Sequence, residues 1–246
     1  MTLDELTARL RSLGVKEKTV TLIGGDRPLF GVKVKSRRPL ADWDRFRGLS
    51  SELGCWPLII PTEKNTLAPL EEGLTGFGEG ASPVESLLNG ADGKTIFSKL
   101  ENEQEGEPEE GSWPGQLPGA GRYTLIKPVK KGIFGSELII ALIPAGNPWE
   151  VFAYLNYGGW NDCPEPRAHV AIHRMWNEEY GAEPVTLTHD TLECRVPNPP
   201  SDKDSAMRLA HQHYLYCYDI VDQGVETLNN LGGTLLNNNI WYFWWD

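Results

Sequence analysis

Residues 241–245 read Trp-Tyr-Phe-Trp-Trp, a run of five aromatic side chains that limits how this chain can fold. On a strand, side chains alternate between two faces, so three of the five share one face: Trp241, Phe243 and Trp245. A loose strand this apolar is an aggregation hazard. We therefore expect these three side chains to be buried, and we predict that the strand pairs with the apolar segment 138–143 or with its neighbour. An aromatic face left open would instead be a surface for a partner.

Apolar spacing and turn residues along the chain predict an α+β fold, in which strands come as hairpins and short pieces. The predicted strands cover residues 19–23, 29–34, 56–60, 137–144, 151–157, 185–187, 192–196 and 240–246. The predicted helices cover residues 3–13, 39–54, 82–88, 94–100, 164–180, 201–221 and 225–236, with Ser201 as an N-cap. We expect a mixed, largely antiparallel sheet with helices packed on it, plus a long acidic loop insertion.

Charge divides the chain into three portions. Residues 1–62 carry a net charge of +4, residues 63–121 carry −9, and residues 122–246 carry −6. We predict an N-terminal helix-hairpin-helix-strand portion at 1–62, an acidic Gly/Pro-rich insertion or linker at 63–121, and a C-terminal domain at 122–246. Residues 101–121 hold few apolar side chains, so we expect a mobile acidic loop whose removal leaves folding intact.

Composition excludes several classes of protein. The net charge of −11 argues against a nucleic-acid binder and against a polybasic membrane-surface protein. There is no run of about 18 apolar residues for a membrane span, and the first residues lack the order of a signal peptide. Four widely spaced cysteines do not indicate a disulfide framework. We expect a cytoplasmic protein whose partner, if it has one, is a basic protein; the oligomeric state stays open.

Four strings in the second half carry a resemblance to a known family. They are Gly-Gly-Trp-Asn-Asp-Cys-Pro at 158–164, Trp-Asn-Glu-Glu-Tyr-Gly-Ala-Glu at 176–183, Tyr-Cys-Tyr-Asp-Ile-Val-Asp-Gln-Gly at 216–224 and Phe-Trp-Trp-Asp at 243–246. In this order they resemble the bacterial family called domain of unknown function 4253, over roughly residues 138–246. Residues 55–60 look like the Trp-Pro strand that precedes this domain in longer members. The resemblance implies a shared fold and a bacterial source, and it assigns no activity, cofactor or catalytic residue.

The first of these strings also contains the predicted binding site. Paired glycines, an aromatic residue, two capping-type polar residues and a proline come together there. We expect this segment at a strand-to-helix junction, lining a partly open pocket. The predicted binding residues are Trp160, Asn161, Asp162 and Cys163.

Cys163 is also the candidate for a catalytic thiol. A helix N-terminus lowers the pKa of a thiol, and Cys163 precedes a predicted helix. A histidine with an acidic neighbour would complete a nucleophile constellation, and either the pair His189 and Asp190 or His169 could supply it. The alternative is a tight turn in which Asn161 or Asp162 caps the helix and Cys163 is simply packed.

The histidines admit a metal interpretation. All five lie in the last 78 residues. On helices, His169 and His173 share a face, as do His213 and Cys217, and two such pairs could hold zinc. However, Cys217 also falls on the apolar stripe of its predicted helix, where a cysteine acts as a small hydrophobe. We therefore expect no metal or cofactor and keep structural zinc as an alternative.

Carboxylates in the same half could pair for acid–base or divalent-metal chemistry. The candidates are Asp190, Glu193, Asp219 and Asp222. Three hypotheses remain: a binding or regulatory module of the kind that neutralises a partner, as immunity proteins do; an enzyme with a pocket at 160–163; and a structural zinc module. Without any catalytic signature, and with an acidic balance that suits a basic partner, we favour the first.

Overall fold

The computed structural model describes residues 1–61, 67–76, 80–90, 92–104, 106–117, 121–126 and 136–246. The fold is α+β, as predicted. The strands are β1 (Lys18–Ile23), β2 (Leu29–Ser36), β3 (Trp56–Ile60), β4 (Ser136–Ile143), β5 (Glu183–Leu187), β6 (Thr191–Arg195) and β7 (Ile240–Trp244). The helices are α1 (Leu3–Ser12), α2 (Pro39–Gly48), α3 (Ser50–Leu53), α4 (Leu67–Leu74), α5 (Val84–Leu88), α6 (Gly93–Glu103), α7 (Glu150–Leu155), α8 (Pro166–Tyr180), α9 (Lys203–Tyr216) and α10 (Leu228–Leu235), with a π-helix at Ile220–Val225.

The described strands form one sheet in the order β1-β2-β4-β3-β5-β6-β7. Every neighbouring pair is antiparallel except β3 and β5, which are parallel. The predicted mixed, largely antiparallel sheet is therefore confirmed. Strand β4, from the predicted C-terminal domain, lies between β2 and β3 of the predicted N-terminal portion. The two portions thus share backbone hydrogen bonds.

Strand β4 has an apolar cluster on each face. Leu138, Ile140 and Leu142 belong to a cluster with the buried face of α1, whereas Ala141 and Ile143 belong to a larger cluster that includes α7 and α8. Because side chains on a strand alternate, a strand covered on both faces is apolar at every position. This explains the unbroken apolar run at 138–143.

The aromatic strand β7 is buried on one face, as predicted. Trp241, Phe243 and Trp245 are at most 1% exposed, and they pack against α8 and α9. The predicted pairing is wrong: β7 pairs with β6 at the edge of the sheet, while β4 lies between β2 and β3. An edge strand can be this apolar because helices cover one face. Tyr242, on the opposite face, is 41% exposed.

Residues 151–157 form no strand; Glu150–Leu155 is helix α7. Four of its six side chains are buried and the other two are partly exposed, so this short segment lacks a clear periodicity that would separate a helix from a strand. The Glu150 carboxylate accepts hydrogen bonds from the N–H groups of Gly146 and Asn147 before the helix. Asn156 ends the helix in the left-handed region, with φ 48°.

The predicted helix 201–221 is also shorter than expected. Asp202, and not Ser201, is the N-cap, since its carboxylate accepts a hydrogen bond from the Ser205 N–H at 2.9 Å. Helix α9 ends at Tyr216, where Cys217 leaves helical geometry with φ −157° and ψ 83°. The Cys217 thiol donates to the Trp244 carbonyl, which holds this break against β7.

Residues 106–117, in the predicted acidic insertion, contain neither helix nor strand. Their backbone nevertheless contacts α10: the carbonyls of Glu109 and Glu110 accept hydrogen bonds from the N–H groups of Leu228 and Asn229. The mobility and dispensability of residues 101–121 stay predictions. Other parts of the insertion, and residues 127–135 at the start of the predicted C-terminal domain, lie outside the described residues. None of the described helices combines the length and apolar character needed to cross a membrane.

Candidate functional site

The predicted binding residues lie in loop 156–165, which joins α7 to α8. Since α7 is a helix and α8 begins at Pro166, the segment is a helix-to-helix junction, and the predicted strand-to-helix junction is wrong. Three loop residues besides Asn156 have positive φ: Gly158 at 101°, Gly159 at 79° and Asn161 at 42°. Backbone of this kind is sparsely populated and persists only where the surroundings hold it.

The loop is closed by its own backbone. The Gly159 N–H donates to the carbonyls of Cys163 at 3.2 Å and Pro164 at 3.0 Å, and the Cys163 N–H donates to the Trp160 carbonyl at 2.9 Å. A Cβ at Gly158 would lie 2.0 Å from the Pro164 oxygen, so only glycine fits there. These contacts hold the loop backbone in one conformation, which fixes the directions of its side chains.

A cavity of about 670 Å³ opens beside the loop. Asn161, Asp162 and Cys163 line one wall of it, and side chains of α5 and α6 line another. Trp160 is not among the lining residues. Its ring is partly exposed and lies 6.2 Å from the ring of exposed His189, measured between centroids.

Cys163 contacts a histidine but is buried. Its Sγ lies 3.4 Å from His169 Nε2, and the residue is 4% exposed. Burial raises the pKa of the Cys163 thiol, as do the neighbouring Cys217 and Glu165. The predicted lowering by the helix N-terminus is therefore wrong, because desolvation of the thiolate outweighs the helix dipole at this position.

His169 and His173 share one hydroxyl group in the core. Tyr216 Oη lies 2.6 Å from His169 Nδ1 and 2.9 Å from His173 Nε2. Burial lowers the pKa of the His169 ring to about 3, and the nearby Pro164 backbone opposes this shift only in part. His169 is thus a neutral imidazole at neutral pH.

The Tyr216 hydroxyl carries one hydrogen, so it donates to one of these two imidazoles and accepts from the other. On the far side of its ring, His169 Nε2 contacts the Cys163 sulfur. The tautomer of His169 decides which of these two groups is the donor in that contact.

The four predicted zinc ligands do not assemble into a site. His169 and His173 contact Tyr216, His213 packs among aromatic rings with Trp241 at 4.7 Å, and Cys217 donates to a carbonyl. Among the described residues, no group of three or more His, Cys, Asp or Glu side chains is arranged to hold a metal ion. Helix α9 ends before Cys217, which removes the helical spacing that suggested its pairing with His213.

His189 and Asp190 are separate from Cys163. Their side chains are 3.7 Å apart and partly exposed, and no described contact joins either of them to the thiol. Asp190 Oδ1 instead accepts from the hydroxyls of Thr188 and Thr191 at 2.7 and 3.1 Å. The Cys163–His189–Asp190 grouping is therefore not a catalytic triad.

Two of the candidate carboxylates serve structure. Glu193 is fully buried and accepts hydrogen bonds from Thr186, Leu125, and the backbone and hydroxyl of Thr124. Asp219 is buried and accepts from Gln223 Nε2 at 2.9 Å and from a backbone N–H at 3.1 Å. With these oxygens engaged inside the fold, neither carboxylate is placed for acid–base work on a ligand.

An acidic face surrounds Trp160, and we define it by its exposed or partly exposed members Asp162, Asp190, Asp222 and Asp246. Asn161 Nδ2 donates to the Asp246 carbonyl at 2.9 Å, and the Asp190 carbonyl accepts from the Trp245 N–H at 3.0 Å. Asp162 raises the pKa of the neighbouring Tyr218, and burial and the nearby Asp219 raise the pKa of Asp222. Within the described residues, these contacts include no lysine or arginine.

Sequence reasoning missed two residues that shape the site. Tyr216 orients both buried histidines from a position 47 residues away from His169, a separation that no local pattern reports. Asn156 ends α7 and lines the cavity. An asparagine directly before Tyr-Gly-Gly was a usable signal for a left-handed cap, but the predicted strand concealed it.

Comparison with family models supports the resemblance of the second half. The model described as domain of unknown function (DUF4253) matches residues 139–246. Comparison with curated proteins and with solved structures gives no match. The matched part begins within β4 and includes loop 156–165, α8, α9 and β7, whereas α5 and α6, which line the opposite wall of the cavity, precede it. The C-terminal part of this chain, residues 139–246, thus matches the DUF4253 family, as the four strings indicate.

Proposed function

We propose that this protein is a binding module for a basic protein partner, which docks on the face around Trp160. One observation carries the proposal. The nucleophile Cys163 and the potential base His169 are buried and paired inside the fold, while Trp160, Asn161 and Asp162 remain at the surface of a rigid loop. The three surface residues can contact a ligand, whereas the buried thiol and imidazole are not placed to react with one.

The aromatic part of this face suits a protein interface. Tryptophan and tyrosine are enriched among the residues that dominate binding energy, and Trp160 and Tyr218 are both partly exposed here. Each also packs on the larger apolar cluster, so its orientation is set before binding. A preorganised anchor loses little side-chain entropy when the partner docks.

The charged part of the face selects the partner. Asp162, Asp190, Asp222 and Asp246 add a local negative potential to a chain of net charge −11. Complementary potentials raise association rates and disfavour acidic competitors. A basic partner, such as a toxin that acts on nucleic acid, fits this chemistry, and the module would then be its antagonist.

The thiols support a cytoplasmic location in the same proposal. Cys55, Cys163, Cys194 and Cys217 are free and buried. Free thiols persist in reducing compartments, so we place the module in the cytoplasm.

A thiol enzyme is the second candidate, because Cys163 Sγ and His169 Nε2 are in contact beside the cavity. The burial of both groups counts against it, since burial raises the pKa of the Cys163 thiol and disfavours the reactive thiolate. Labelling of Cys163 by iodoacetamide separates the two candidates.

The proposal is tested by cross-linking capture with matched variants, using proteins of the organism that encodes the chain. Trp160→Ala should weaken capture by about 2 kcal/mol or more, as for a central anchor. Asp162→Lys with Asp222→Lys should reduce it further at low salt, where screening is weak. Glu52→Lys, an exposed acid on α3, is the control that should leave capture unchanged.

A captured basic protein that is lost with the Trp160 and aspartate variants, but retained by the Glu52 variant, supports the proposal. Capture that ignores all of these substitutions, or a partner of acidic composition, contradicts it. Thermal melting of each variant confirms that it is folded.

A further inference from the structure

We infer that the cavity beside loop 156–165 binds the cationic head of a lysine or arginine side chain of the partner. This inference rests on the proposed function and names the group that the basic partner inserts. Two features of this cavity support it: a buried oxygen without a hydrogen-bond partner and a carboxylate without an ion pair, both among the described residues.

The first observation is the amide of Asn156, which lines the cavity. Its Nδ2 donates to the Gly73 carbonyl at 3.0 Å, which fixes the amide so that Oδ1 is the free acceptor. Asn156 is 7% exposed, and Oδ1 is buried with no hydrogen-bond partner among the described residues. A buried acceptor without a donor costs free energy, so a ligand with an N–H group gains a hydrogen bond that the fold itself does not make.

The second observation is the balance of charges around the cavity. Its described lining holds three carboxylates, Glu103, Asp162 and Glu165, against two cations, Lys99 and Arg167, which gives a net charge of −1. Lys99 pairs with Glu103 at 3.7 Å, whereas exposed Glu165 makes no ion pair within the described residues. The net negative charge of the lining favours a cation.

The apolar wall of the cavity suits the aliphatic part of such a side chain. Leu87, Ile96 and Leu100 line the cavity from α5 and α6. Lysine and arginine carry three or four methylene groups, which pack on apolar surface while the charged head reaches a polar group. An inorganic cation has no use for this apolar wall, whereas an alkyl ammonium or guanidinium group uses both parts.

The test titrates the folded protein with Nα-acetyl-arginine N-methylamide and reads the Gly158 and Gly159 amide signals by NMR. The neutral Nα-acetyl-norleucine N-methylamide keeps an alkyl stem and lacks the charge. We expect the arginine probe to bind with a Kd on the order of millimolar, as suits one side chain without the rest of its partner. The norleucine probe should produce no saturable shift.

Two variants localise the binding. Glu165→Gln should weaken the arginine probe about tenfold, the loss of one charge-assisted hydrogen bond. Asn156→Gly keeps the left-handed backbone and removes the free oxygen, so it should weaken the probe as well. Glu178→Gln, an exposed acid near the other end of α8, is the matched control and should change nothing.

Equal binding of both probes, or binding unaffected by Glu165→Gln, overturns the inference. Agmatine binding much tighter than the arginine probe also overturns it, since the cavity would then serve a free small amine. These failures are distinct from failure of the proposed function: partner capture that still depends on Trp160 would preserve the docking face and remove only the cavity from it.

Discussion

The two apolar clusters on the sheet differ in chemistry. The cluster under α1 is largely aliphatic, with Leu6, Leu10 and Val32 almost fully buried. The cluster between β7, α8 and α9 instead holds aromatic rings together with three buried histidines: His169, His173 and His213. It also contains buried polar atoms that have no hydrogen-bond partner among the described residues, such as Tyr157 Oη and Trp241 Nε1.

This difference shows that the second cluster contributes more than apolar burial. Burial of aliphatic side chains stabilises the fold without removing polar groups from water, whereas burial of histidines and of polar atoms without partners costs free energy. That cost is accompanied by a specific arrangement: Tyr216 contacts His169, and His169 contacts Cys163 of loop 156–165. The aliphatic cluster thus supports the sheet, and the aromatic–histidine cluster also positions the loop.

The largest effect should come from removing residues 240–246. This deletion takes away Trp241, Phe243 and Trp245, each of which typically costs about 3–5 kcal/mol when truncated. Their sum reaches the roughly 5–15 kcal/mol of a whole domain, so we expect no soluble folded protein. A truncated chain that stays soluble with an unchanged melting temperature would show that the aromatic strand is a binding surface and not core.

Tyr216→Phe should have the next largest effect. The ring stays, but His169 Nδ1 and His173 Nε2 lose their shared partner, at about 1–3 kcal/mol for each buried group. Urea unfolding measures the loss. Tyr214→Phe, on the same helix, is the control, because the Tyr214 hydroxyl has no hydrogen-bond partner among the described residues, and we expect little change. Equal losses in both variants would remove the special role of Tyr216.

The sequence anticipated elements with a clear pattern and missed those set by distant contacts. Strand β4 was predictable from its apolar run. Helix α8 was predictable from the proline at its start and the glycine directly after its end. Helix α7 was not, because a six-residue segment with most of its side chains buried shows no clear period. The pairing of β7 with β6 and the His169–Tyr216 contact depend on tertiary topology, which local pattern does not encode.

The buried histidines also predict a pH dependence. Burial lowers the pKa of His213 to about 3, below an ordinary value of about 6.5. Between these values the unfolded chain binds more protons than the folded one, so the free energy of unfolding falls as the pH is lowered. Each such histidine contributes a slope of about 1.4 kcal/mol per pH unit.

His213→Phe should remove one such slope from the stability measured by urea unfolding between about pH 6 and pH 4. A slope that is the same in the wild type and in this variant would mean that His213 is not held neutral in the folded state.

The measurement that tests most directly whether loop 156–165 is a rigid binding surface is the alkylation rate of Cys163 by iodoacetamide at neutral pH, located by peptide mass spectrometry. Since Cys163 is buried and burial raises the pKa of its thiol, we expect labelling only as fast as the protein unfolds. Leu10→Ala, in the aliphatic cluster, should raise the rate only through lower global stability, whereas Tyr216→Phe should raise it further at equal stability. Rapid stoichiometric labelling of Cys163 in the folded wild type would contradict the binding assignment and support a thiol enzyme.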